Sequence, residues 1–146
     1  MSIVTTSAVA LLAMAAPTTG SGQCIDLGGT GLAQAVSETS FVASLAGELG
    51  GGARARVEGQ RQTATGLELD MRHFFFTDEG GLLETKDIAT LTAVPAKDGN
   101  YMLEIHYKVQ NASGTFAGYS GEFKSRGLLN FNDGSVVLKY SGQICK

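Results

Sequence analysis

From Gly28 onward, hydrophobic and polar side chains alternate over short stretches divided by glycine-rich turns, the period of a half-buried strand. The cleanest case is 101–109. There Tyr101, Leu103, Ile105, Tyr107 and Val109 share one face, while Glu104, His106 and Lys108 share the other. Over 67–76, Leu67, Leu69, Met71, His73 and Phe75 alternate with Glu68, Asp70, Arg72, Phe74 and Phe76. Aromatic rings stand on both faces of that stretch, so periodicity leaves its inward side open. Residues 53–61 alternate small with charged. In 41–49, Phe41, Leu45 and Leu49 stand against Ser44 and Glu48. A strand fits this segment, and so does a helix, since Leu45 and Leu49 are four apart and alanine is a good helix former.

Three more strands are expected, over 82–94 up to Pro95, 121–131 and 136–144. Turn signals separate them: Gly50-Gly51-Gly52, Asp78-Glu79-Gly80-Gly81, Lys97-Asp98-Gly99-Asn100, Asn111-Ala112-Ser113-Gly114 and Asn132-Asp133-Gly134. Strands at this spacing predict a meander, hence a barrel or sandwich. No long helical pattern lies between them, which disfavours a doubly wound fold, and no period of 20–50 residues repeats.

Length and composition narrow this to one domain: 146 residues, with 20 glycines and only 2 prolines, suit short strands joined by tight turns. A net charge of −3 gives no reason to expect a nucleic-acid partner. Residues 1–23 carry no charged side chain. The apolar run 8–16 contains Ala13-Met14-Ala15, resembling the hydrophobic region and cleavage site of a secretory leader, and it is too short to span a bilayer. No Lys or Arg precedes the run, and a buried N-terminal helix or strand is the alternative. Pro17 to Gly22 reads as a linker. The expected division is therefore a signal peptide and linker over 1–23 and a single domain over 24–146, secreted or periplasmic.

Cys24 opens that domain and Cys145 is its penultimate residue. Their placement suits a disulfide in an oxidising compartment better than a zinc site or a Cys-x-x-Cys redox pair, with two free thiols as the alternative. If they are bonded, the first and last segments lie side by side and the meander closes into an antiparallel up-and-down barrel.

The segment Ala112-Ser113-Gly114-Thr115-Phe116-Ala117-Gly118-Tyr119-Ser120-Gly121 resembles the glycine-rich GTGxFxGAxG element of the allene oxide cyclase and dirigent proteins. The likeness covers about ten residues. It implies a barrel of about eight strands with an apolar cavity that binds or cyclises a hydrophobic small molecule. In that setting Gly114, Gly118 and Gly121 would relieve crowding at a barrel corner and Phe116 would plug the interior. None of the family's catalytic positions can be placed on this sequence.

His73, on an apolar face, is the first acid–base candidate, against an ordinary role as a core histidine with one satisfied hydrogen bond. Asp70 and Arg72 are candidates if their face lines the lumen, and otherwise form an outer salt-bridged surface. His106 follows a polar face. Tyr101, Tyr107, Phe116 and Phe75 are the expected ligand-binding residues, and a lumen filled with side chains is the competing outcome. Binding of protein or carbohydrate on the outside would need exposed aromatics such as Tyr101, Tyr119 or Tyr140. Two histidines without ligand spacing predict no metal, and no nucleotide loop or Gly-x-Ser-x-Gly element points to a cofactor or a serine nucleophile.

Overall fold

The computed structural model of the protein describes residues 22–146. The expected leader lies outside the described residues apart from Gly22 and Gln23. Eight strands follow in order: β1 (Cys24–Ala35), β2 (Ser40–Gly47), β3 (Gly51–Gln62), β4 (Gly66–Thr77), β5 (Gly81–Ala93), β6 (Asn100–Gly114), β7 (Ser120–Asn130) and β8 (Ser135–Cys145). Each pairs antiparallel with its successor and β8 returns to β1, so the sheet is a closed barrel. Cys24 and Cys145 form a disulfide across 121 residues of sequence, beside the first register pair of β1 with β8.

The period of two decides 41–49 in favour of strand. Phe41, Ala43 and Leu45 pack against the core, while Val42 is exposed on the outside. Beyond Gly47 the chain turns and drops Leu49 into the core at 1% exposure. Tyr140 helps to fix this turn. Its hydroxyl donates to the Ala46 carbonyl at 2.7 Å and accepts from the Leu49 N–H at 3.0 Å. Gly29 makes room for that hydroxyl, since a Cβ there would stand 2.5 Å from it.

One expected turn is displaced. Residues 111–114 are the last of β6, paired with 81–84 of β5, and the reversal comes at 115–119. The cause is a bulge at Gln110, between the pairs Thr85–Val109 and Glu84–Asn111. The extra residue leaves both Val109 and Ala112 packed against the core, so the polar segment continues as strand. A second bulge at Glu58, between Val57–Met71 and Gly59–Asp70, turns Arg61 outward beside Glu68 and Asp70.

The two barrel ends differ. At the end holding turns 48–50, 78–80 and 115–119, Leu27, Leu49, Leu83, Phe116 and Ile144 are all buried. Phe116 folds over this end against Gly81, where a Cβ would meet its ring at 2.5 Å. The opposite end, with turns 36–39, 63–65, 94–99 and 131–134, is rimmed by half-buried Phe41, Leu67 and Tyr101.

Removing the disulfide with Cys24→Ser and Cys145→Ser together is expected to cost about 4–5 kcal/mol in the chain-entropy limit. Thermal unfolding followed by circular dichroism should show a melting temperature roughly 10–20 °C lower with the strand signal unchanged below it. An unchanged melting temperature would show that β1–β8 pairing closes the barrel unaided.

Candidate functional site

Inward positions of β4 to β7 place a thin polar layer inside an otherwise apolar lumen. It comprises His73, Thr85, Asp87 and Ser125, all buried, with the hydroxyl of Tyr107. Asp87 sits on β5 two register pairs from His73, on the same face, because Met71 faces Asp87 and His73 faces Thr85. His73 Nδ1 lies 2.6 Å from Asp87 Oδ2, with the carboxylate side chain wholly buried. The imidazole stacks on Phe75 at 5.6 Å and meets the edge of Tyr107 at 5.0 Å between ring centres. Tyr107 and Ser125 share a hydrogen bond of 2.8 Å between their hydroxyls. Burial pushes the Tyr107 phenol well above its ordinary range, so it stays neutral and serves only as a hydrogen-bonding group. Asp87 Oδ1 and Thr85 Oγ1 have no hydrogen-bond partner among the described residues.

Against this layer lies a cavity of about 60 Å³. One wall is built of small side chains, Gly31, Ala33, Ala43, Ala53 and Ala55 on β1 to β3. The opposite wall carries large ones such as Leu103, Ile105 and Phe123 on β6 and β7. The lining runs from Ala33, Phe41, Leu129 and Val136, beside the rim, to Phe75, Tyr107 and Phe123 deep in the barrel. Only three lining residues have polar side chains: His73, Tyr107 and Tyr140. The Tyr140 hydroxyl hydrogen is committed to the turn after β2, and the Tyr107 hydroxyl shares a hydrogen bond with Ser125 in which either oxygen can donate. His73 Nε2 has no partner among the described residues, yet it is not among the fully enclosed polar atoms. His73 is itself a lining residue of the cavity.

The candidates read from the sequence separate accordingly. His73, Phe75 and Tyr107 line the cavity. Tyr101 points the same way but sits at the rim against Phe131, 5.2 Å between centres, and Phe116 closes the far end. Asp70 and Arg72 are not in the lumen. Arg61 holds Asp70 at 2.7 Å and Glu68 at 2.7 Å, while Arg72 reaches Glu58 at 3.0 Å and Glu84 at 2.7 Å. Glu68, Asp70 and Arg72 are on the outer face because even-numbered residues of β4 point outward, and they meet Arg61, Glu58 and Glu84 of the neighbouring strands there. The Arg61 hydrogen bonds keep the Asp70 carboxyl below the usual range, so it is a fixed anion of an exposed network. Such pairs contribute little to stability.

The exposed aromatics needed for an outer binding face are missing at the expected positions. Tyr140 is buried, and Tyr101 and Tyr119 are half-buried, the latter beneath Lys146. What the outside does present is an aliphatic row, Leu32, Val137, Leu128 and Met102, in register across β1, β8, β7 and β6.

Asp87, Thr85 and Ser125 were not among the candidates. A signal existed for Asp87: Leu83, Thr85, Asp87, Ala89 and Leu91 form one alternating face, so a carboxylate stands where the pattern calls for a hydrophobe. Thr85 tests the layer directly. Thr85→Val replaces a buried, unpartnered hydroxyl with a methyl of the same shape. It is expected to stabilise the protein by about 1 kcal/mol or more, read from denaturant unfolding. Tyr107→Phe should do the reverse, losing about 1–3 kcal/mol by orphaning Ser125.

No family model matches the chain, and neither a curated protein nor a solved structure does.

Proposed function

We propose that this is an exported barrel that binds a small apolar molecule in its lumen. The observation that carries the reading is the unequal wall. Five glycine or alanine positions on β1 to β3 face bulky side chains, leaving apolar space that reaches toward the end opposite Phe116. At about 60 Å³ the space is far below the roughly 300 Å³ of a drug-sized pocket, so the ligand is short or slender. A purely structural barrel is the limiting case in which nothing enters.

Titration with xenon and n-pentane, followed by backbone amide NMR, is expected to move resonances of lining residues such as Ala43 and Leu103. Ala55→Leu, which fills the small wall, should abolish those shifts while remaining folded. Shifts absent from the wild type, or equal in both proteins, would end the ligand reading and leave the structural one.

A second reading, cyclisation or isomerisation of such a molecule, is favoured by one feature: His73, braced by Asp87, faces the same cavity. Its check is exchange of the α-hydrogens of 2-pentanone in D₂O. Exchange faster than buffer and lost in His73→Gln supports it; exchange at the buffer rate ends it.

Export rests on the uncharged leader and agrees with the disulfide. Protein recovered from outside its native host cell should have an intact mass that starts between Ala16 and Cys24. A cytosolic chain retaining Met1 would overturn export.

A further inference from the structure

Resting on the ligand reading above, we propose that His73 Nε2–H is the hydrogen-bond donor that a ligand meets in the cavity and that it selects a neutral apolar ligand with one carbonyl or ether oxygen. The reasoning starts from charge. The described residues bury one carboxyl group, Asp87, and one imidazole, His73, and no arginine or lysine. Asp87 Oδ1 receives no hydrogen bond from them. An ionised Asp87 beside a neutral imidazole would therefore leave a net charge in an apolar lumen on a single hydrogen bond, the costliest arrangement for a buried ion.

Two arrangements leave the lumen neutral. In one, imidazolium faces carboxylate, and both ring nitrogens carry hydrogen. In the other, a protonated Asp87 donates to Nδ1, and the ring hydrogen resides on Nε2. Both put a hydrogen on Nε2. The 2.6 Å contact to Asp87 serves either. Asp87 is thus a positioning residue, fixing which ring atom faces the ligand and what that atom offers. Tyr140 spends its hydrogen on Ala46 and Tyr107 is already paired with Ser125, whereas Nε2 has no partner among the described residues, so a ligand oxygen is placed at Nε2 and the apolar remainder extends along the alanine wall toward the rim. An anionic ligand is disfavoured, because it would restore the net charge that the pair avoids.

Isosteric probes small enough for the cavity test this: acetone against 2-methylpropene, which replaces the carbonyl oxygen with a methylene. The ketone is expected to bind the wild type about five- to tenfold more tightly, the yield of one hydrogen bond. In His73→Phe the ratio of ketone to alkene affinity should fall to about one, whatever the change in the affinity of either probe alone. Equal affinity in the wild type overturns the donor assignment while leaving lumenal binding in place. Failure of both probes removes lumenal binding itself. Should His73→Phe not fold, ¹⁵N NMR of the wild-type imidazole decides the matter: a hydrogen on Nε2 supports the proposal and a bare Nε2 overturns it.

Discussion

Pairing of β8 with β1 is the contact on which the barrel depends, because seven sequential hairpins alone would leave two unpaired edges and an open lumen. The register runs from Cys24–Cys145 to Gln34–Ser135 without a bulge, and the disulfide stands at its first pair. Closure decides which side of every strand is buried. A one-residue slip at this seam would invert one of the two strands, either bringing Leu32 into the lumen and expelling Leu27 or bringing Val137 in and expelling Ile144. The crosslink and the continuous ladder therefore oppose the same error, one covalently and the other through hydrogen bonds.

Closure also sets the chemistry of the lumen. Inside a closed barrel with one end plugged by Phe116 and its neighbours, a polar group must find its partner across the lumen or along its own pair of strands. His73 finds Asp87 on the adjacent strand, and Tyr107 finds Ser125 on the next but on the other side. The four groups form two separate pairs rather than one network, and Asp87 Oδ1 and Thr85 Oγ1 are left over.

Much of this was legible before any coordinates. The strand faces of 67–76 and 101–109, the disulfide and the all-β closed fold follow from alternation and from the placement of two cysteines. Three things were not legible, for identifiable reasons. β1 has glycine at 28, 29 and 31, so it shows little alternation, and its strand character comes from pairing on both sides. The bulges at Glu58 and Gln110 change the parity of a strand midway, and a polar run such as 111–114 looks the same in a turn as in a bulged strand. The inward face of β4 was ambiguous because Phe74 is satisfied outside. Arg54 lies over its ring at 5.2 Å, so an aromatic on the outer face is no sign of the core.

The energies of the two unusual lumenal features differ, and the difference bears on which was selected. A void of about 60 Å³ costs on the order of 1.5 kcal/mol at roughly 24 cal/mol per Å³, the effect of one ordinary substitution. Each orphaned buried polar atom costs about 1–3 kcal/mol, and the layer holds two. Valine at position 85 and leucine at position 87, with an apolar residue at 73 so that no imidazole nitrogen is orphaned, would fit the alternating faces of β5 and β4 and remove both costs without touching the topology. A barrel selected for stability alone would carry them. The polar layer is thus the more expensive departure from a filled apolar core, and it holds the imidazole that lines the cavity. The chemistry of the lumen is to be sought at His73 and Asp87, with the alanine wall setting only the size of what reaches them.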